Sequence, residues 1–297
     1  MKQMNIPKNM NNLDFSAAAS IKDKDTIELL KSSVSTDVLF NESLVEEFLT
    51  NYVNWINTTK NNQFVGLEKY QYSCFSAGTS ESFDKFYMKN ATKRFRCFRG
   101  EYIYHKLAWR DKFNWCYVDD EPIAENDAVV VSLPFSDTGN KHISHTDLLE
   151  ECEKLNVPVL IDCCYFGTCA DIEFDLTYNC ITDVTFSLSK AFPVAYARIG
   201  MRLTKEDNDD TLFVYNKPGL VYTNRLTASL GQRFIENFTP DYIFDKYREH
   251  QLEFCNKTDT VASNTVMFGL GDDRYKQYNR GTDTNRLSFH RYLGDCE

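Results

Sequence analysis

Val157-Pro158-Val159-Leu160-Ile161-Asp162-Cys163-Cys164-Tyr165 reads as a short strand that ends on an acid. Its aliphatic run leaves no polar face, as expected of a strand covered on both sides. Two similar runs flank it. Asp127 to Leu133 carries Ala128-Val129-Val130-Val131, and Ile181 to Ser187 is the third. Between the first two, Ser144 is placed to cap a helix over 146–155. Strand, helix, strand in this order predicts a mostly parallel sheet flanked by helices. In such sheets ligands bind beyond the carboxyl ends of the strands. Asp162, Ser187 and Lys190 fall at or just after such ends, and their convergence marks a candidate site.

Working outward, Leu44, Val45, Phe48, Leu49, Tyr52, Val53 and Ile56 recur at helical spacing, which predicts an amphipathic helix over 41–59. A short helix is expected near 26–31, after a small, flexible-looking stretch at Ser16-Ala17-Ala18-Ala19-Ser20. A strand is expected over 71–76, a turn over 76–80 and a helix over 81–88. Beyond Lys205 a polar turn leads to helices over 225–238 and 240–255 and strands over 265–270 and 285–289. Three parts follow: an N-terminal segment and helix (1–60), a large α/β domain (61–205), and a helical return with a small α+β lobe (206–297).

The 297 residues suffice for one large core and an appended lobe. The net charge of −10 disfavours a phosphate backbone as partner, so no nucleic acid is expected. The basic, aromatic run Lys93-Arg94-Phe95-Arg96-Cys97-Phe98-Arg99 reads as an amphipathic strand, with Phe95, Cys97 and Arg99 on one face. The polar, Asn-rich start carries no secretory signal, and no stretch is apolar enough to span a bilayer. A cytoplasmic protein with no membrane partner is expected. The 10 cysteines are scattered and read as reduced thiols in or near a core. No paired ligand spacing indicates a metal. His142 and His145 read as solvated side chains rather than ligands. Neither Ser187 nor Ser189 stands in the elbow motif of a serine nucleophile.

Ser187-Leu188-Ser189-Lys190 is followed, eight residues on, by Arg198-Ile199-Gly200. Upstream lie Asp162-Cys163-Cys164-Tyr165, then Leu133-Pro134-Phe135-Ser136-Asp137-Thr138-Gly139, then Ser76-Ala77-Gly78-Thr79-Ser80. Each piece alone is weak, whereas the ordered set is specific. It resembles the fold type I enzymes that depend on pyridoxal 5'-phosphate (PLP), most closely the class I/II aminotransferases. The resemblance covers about residues 64–205 well and the C-terminal lobe loosely.

The resemblance implies a three-layer, mostly parallel PLP-binding large domain with a reduced small lobe. It implies PLP as cofactor, a small-molecule amino donor and a keto acceptor, and a homodimer with sites near the subunit interface. Lys190 would form the Schiff base and shuttle the proton. Asp162 would pair with the pyridine nitrogen, and Tyr165 would tune the imine at the cofactor's O3'. Ser187, Arg198, Thr79 and Ser80 would hold the phosphate. Tyr102, or failing that Tyr104, would stack on the ring. Arg286 in Thr284-Asn285-Arg286-Leu287-Ser288-Phe289 would fork onto the substrate's α-carboxylate, with Arg280 and Arg291 as neighbouring alternatives.

Two departures bear on function. The loop that in the family carries an Asn beside O3' has Ser136 and Asp137 at the matching positions, where Ser136 would give the cofactor a weaker equivalent bond or none, and the chain is shorter than usual, with losses at both ends and a reduced small lobe. The leading expectation is an aminotransferase. A PLP-dependent lyase, decarboxylase or racemase uses the same Lys and Asp, and a degenerate non-catalytic relative is the third reading.

Overall fold

Hydrophobic runs with no polar face can only be satisfied between two layers, and the chain builds them. The computed structural model describes residues 14–32, 34–217 and 220–294; the Asn-rich residues 1–13 lie outside this range. In chain order the elements are α1 (Lys24–Lys31), α2 (Leu44–Asn57), β1 (Gln63–Val65), β2 (Tyr72–Ser76), α3 (Thr79–Lys89), β3 (Arg94–Cys97), α4 (Ile103–Trp109) and β4 (Trp115–Tyr117). There follow β5 (Asp127–Ser132), α5 (His145–Leu155), β6 (Val159–Cys163), β7 (Glu173–Asp175), β8 (Ile181–Ser187) and β9 (Gly200–Thr204). The C-terminal part contains α6 (Thr211–Asn216), α7 (Arg225–Asn237), α8 (Tyr242–Thr258), β10 (Val261–Ala262), β11 (Phe268–Gly271), β12 (Asn285–Ser288) and α9 (His290–Leu293).

Seven strands form the central sheet in the order β2-β9-β8-β6-β5-β3-β4. Neighbours from β8 through β4 pair in parallel, while β9 runs antiparallel between β2 and β8. Along β5, Val129 and Val131 enter one hydrophobic cluster and Ala128 and Val130 the other, which is why the whole strand is apolar. The larger cluster joins the sheet to α2, α5, α7 and α8; the smaller joins its opposite face to α3 and α4. The fold is thus three-layered and mixed α/β. β10, β11 and β12 form a separate antiparallel sheet, the small α+β lobe. Phe15 packs edge-on against Phe254, Tyr278, Phe289 and Tyr292 and so ties the N-terminal segment to this lobe.

Several expectations are corrected. The sequence reading ended the large domain without recognising β9, because Gly200-Met201-Arg202-Leu203-Thr204 interrupts its apolar run with Arg202. That arginine is fully buried against Asp183 and Asp210. β3 is not amphipathic: Arg96, like Phe95 and Cys97, is buried, and it binds Asp127 at 2.5 Å and the carbonyls of Pro122 and Tyr117. Burial of an ion is tolerated here because both terminal nitrogens find acceptors, while Nε has none among the described residues. Arg99 instead lies over the Tyr117 ring. His142 and His145 are not solvated. His142 stacks on Phe98 at 3.7 Å between centroids, and burial takes His145 down to about 3. Ser144 precedes α5 but its side chain makes no capping bond. Nine cysteines among the described residues are unpaired, and seven of them are buried. Among the described residues no helix is long and apolar enough to cross a membrane.

Candidate active site

The carboxyl ends of β2, β5, β6 and β8 lie along one edge of the sheet. Ser76 of β2 and Ser187 of β8 both pair with Gly200, and Ser132 of β5 is in register with Asp162 of β6. A cavity of about 580 Å³ opens over this edge, and all ten residues singled out in the sequence line it. They come from four separate elements and four loops, so their convergence is a property of the topology.

One end of the cavity is an anion cradle. Gly78 turns the chain from β2 into α3 with φ +73°, a conformation that suits glycine. A Cβ there would stand 2.4 Å from Arg198 Nη2. Arg198 donates through Nη2 to the Ala77 carbonyl at 2.9 Å and to Ser80 Oγ at 2.7 Å. Thr79 and Ser80 open the 11-residue helix α3, whose first N–H groups have no partner within the helix. Ser187 Oγ bonds Ser189 Oγ at 2.8 Å and the Ile199 carbonyl at 3.1 Å. Arg198 itself has φ +57°, an uncommon backbone state for a residue with a side chain, and it is exposed.

The middle holds Lys190 and Asp162. Lys190 Nζ donates to the Ala18 carbonyl at 2.6 Å and lies 5.7 Å from the Tyr165 ring centre. Burial disfavours the ammonium, but Tyr165, Cys164 and Tyr102 favour it and the balance lies above the ordinary lysine value. Asp162 is buried, and its Oδ1 accepts only from the Cys164 N–H, at 3.0 Å. Burial first, and then the charge of Glu101, push its carboxyl up to about 8. Tyr102 caps α4, lines the cavity and is 44% exposed, so its ring is open to a ligand. Tyr104 is the alternative that the geometry sets aside: its hydroxyl is bonded to Asp84 and it packs on Phe83.

The far end is a second cationic region. Arg286 on β12 is buried, with its guanidinium carbon 4.5 Å above the Phe268 ring. It donates to the carbonyls of Ser136 (2.9 Å) and Ser16 (3.0 Å), while its Nε has no partner in the buried interior. Burial brings its pKa down from the ordinary arginine value. Arg280 also lines the cavity and donates to Ser136 O at 2.7 Å and Glu101 O at 3.1 Å. Arg291 does not join them; it pairs with Asp14 at 2.7 Å. Ser136 is buried at the wall, and its Oγ lies 3.3 Å from Arg280 Nη1.

Arg280, one of the two alternatives to Arg286, reaches the cavity from the turn before β12. Two features have no signal in the sequence. Glu101 gave no signal because it precedes an aromatic run. Ser16 to Ala19, read as flexible, forms one wall of the cavity and is held by Lys190 and Arg286. Small residues are what such a close approach over two cations requires.

No family model matches the chain, and no curated protein matches it. Solved structures do. A tyrosine aminotransferase from Leishmania infantum superposes with a TM-score of 0.65 at 13% identity, over 96% of this chain and 93% of that one. A PLP-bound C-S lyase from Staphylococcus hominis gives 0.65 at 13%, over 96% and 86%. The histidinol-phosphate aminotransferase from Clostridium acetobutylicum gives 0.60 at 15%, over 95% and 98%. The chain has the fold of the class I/II PLP-dependent aminotransferases and C-S lyases.

Proposed function

We propose that this cavity binds PLP and that the chain transfers an amino group from an amino acid or related amine to a keto acceptor. The observation that carries the proposal is the spacing of complementary groups along one cavity: anion cradle, amine, buried acid, cation. The residues fit the cofactor. A phosphate suits the space between Arg198, Ser187 and the first N–H groups of α3, where even a Cβ at Gly78 would intrude on the guanidinium. Asp162 offers a buried acid for a ring nitrogen, and the Arg286 guanidinium at the cavity wall offers a donor for a carboxylate.

When bound, PLP supplies an electron sink for the bond broken at Cα. Lys190 would hold the cofactor and move the proton at Cα. Its Nζ is bonded to the Ala18 carbonyl, and that bond would have to be released first. Asp162 would hold the ring nitrogen's charge. Tyr165, packed edge-on against Phe268 at 5.2 Å, presents its ring beside Lys190. Tyr102 offers a face for stacking. Arg286 orients the substrate by its α-carboxylate, which fixes the Cα–H bond toward Lys190.

Two associated expectations belong to the same reading. A second copy of the chain is the partner, supported by Tyr102, Ile103 and fully exposed Tyr196 around the rim. The unpaired cysteines favour a reducing compartment such as the cytoplasm. The test of function is an absorbance titration with PLP followed by a panel of amino donors. Binding gives a yellow band that depends on Lys190, and a donor converts it to the pyridoxamine form. Absence of any band sinks the proposal. A band that no donor converts, while another product of Cα chemistry accumulates, replaces transamination with a lyase or decarboxylase. Biological activity that persists in Lys190→Ala supports the non-catalytic reading instead.

A further inference from the structure

A second carboxylic acid stands beside Asp162, and none of the roles above uses it. Glu101 immediately precedes Tyr102 and is 4% exposed. Its Oε1 accepts the Ser132 N–H at 2.8 Å, and its Oε2 accepts the Ser132 hydroxyl and the Tyr102 N–H. Ser132 is the last residue of β5, in register with Asp162 on β6. Ser132 thus brings the Glu101 carboxyl to the sheet edge next to the strand that carries Asp162, and both acids are out of solvent.

Two buried carboxylates so placed do not both ionise readily, because the first charge opposes the second. Donor number decides which one holds the charge. Glu101 has three donors, and Asp162 has the Cys164 N–H. Hydrogen bonds to the charged form favour it. The groups facing the pair agree. Arg280, bonded to the Glu101 carbonyl, stabilises negative charge on Glu101. Lys190 does so for Asp162, while Cys164 faces it as a thiol pushed up to about 12 by burial. On the helical side Tyr87 of α3 bonds His105 of α4, and burial keeps that imidazole neutral, near 3. Burial raises Glu101 to about 7, and burial together with the Glu101 charge raises Asp162 to about 8.

We propose that Glu101 is a positioning residue for a proton: as the anionic member of a buried carboxyl pair it keeps Asp162 protonated until a ring nitrogen arrives. Asp162 then gives its proton to an unprotonated ring nitrogen; the O–H bond breaks, an N–H bond forms, and the carboxylate faces the cation it has made. If the ring nitrogen arrives already protonated, Asp162 releases its proton to solvent. This inference rests on PLP as the ligand of the cavity, and it assigns to Glu101 the task of loading Asp162.

The experiment is calorimetric titration of PLP into wild type and Glu101→Gln near pH 7, in two buffers of different ionisation heat, which counts protons exchanged on binding. In Glu101→Gln the charge that helps hold the proton on Asp162 is gone while its burial remains, so more of Asp162 is ionised beforehand. Wild type should then release more protons, or take up fewer, by up to about one per site. Ser132→Ala removes one donor from Glu101 and leaves both acids in place. It should shift the count in the same direction by less, and it serves if Glu101→Gln does not fold. Equal counts in wild type and the folded variants, with PLP bound in each, overturn the role of Glu101 alone. No PLP binding by wild type overturns the cofactor reading and this inference together.

Discussion

Gly78→Ala tests the anion cradle with the smallest possible change. The added Cβ would stand 2.4 Å from Arg198 Nη2 and 2.8 Å from its Cζ. Both distances are far inside van der Waals contact, so the guanidinium must leave. In leaving it gives up its bonds to Ala77 O and Ser80 Oγ, which now hold it across the mouth of α3. A hydrogen bond to a charged group contributes about 1.5–3 kcal/mol. With about 1.4 kcal/mol per factor of ten, loss of one such bond to the phosphate weakens PLP binding about 10- to 150-fold. The backbone adds a separate cost. With φ +73° and ψ 179° Gly78 occupies a region open essentially to glycine, so the variant should also lose about 1–3 kcal/mol of stability. PLP affinity is read from the visible band on titration, and stability from urea unfolding. Arg198→Ala run in parallel should lose a comparable factor of affinity with little loss of stability. A folded Gly78→Ala that binds PLP within about twofold of wild type would refute the reasoning, because the guanidinium would then not be where the phosphate is.

Other outcomes follow from the same geometry. Lys190→Ala should abolish the yellow band while leaving weaker PLP binding, measurable by equilibrium dialysis. Arg286→Gln should keep the band and raise KM for α-carboxylate donors about 10- to 100-fold, the cost of one charged pair; an unchanged KM assigns the carboxylate to Arg280. The raised pKa values of Asp162 and Glu101 make the cofactor-free protein pH-sensitive in a defined direction. The folded state holds these protons more tightly than the unfolded chain. The stabilisation is complete below the unfolded carboxyl values near pH 4 and is lost as pH rises to about 8. Urea unfolding at pH 5 and pH 8.5 should show the fall, on the order of several kcal/mol, and Asp162→Asn should flatten it. Asp127→Asn leaves buried Arg96 without its carboxylate and should cost about 3–5 kcal/mol by the same measurement, with PLP affinity unchanged.

Ser136 shows how a departure in a motif is resolved by its surroundings. The missing amide side chain is not replaced by another donor from the same loop. Arg280 comes from the far end of the chain and binds both the Ser136 carbonyl and the carbonyl of Glu101, which joins the loop after β5 to the segment that carries Tyr102. Arg280 thus adds a cation to a loop that its own side chains also hold, Asp137 through Thr282 and Asn140 through Ser263 and Asn264. That cation lines the same cavity as Arg286, and the pair makes this end of the site strongly electropositive.

The sequence by itself determined the central sheet and the residues at its edge. Strands covered on both faces are largely apolar, so those expected at 127–133, 157–162 and 181–187 are legible without a partner in view. The placing of Asp162, Ser187 and Lys190 at or just after carboxyl ends was legible as well. Tertiary structure alone decided what has no local signature. Arg96 and Arg202 look like surface residues until their carboxylates, 31 and 19 residues away, are brought beneath them. Choosing Tyr102 over Tyr104 required knowing which one Asp84 occupies. Ser16 to Ala19 became a wall only because Phe15 is anchored in the C-terminal aromatic cluster. Asp162 is the clearest case: its place at the end of a strand is written in nine consecutive residues, but its proton depends on Glu101, which the fold brings to it through Ser132 on the neighbouring strand.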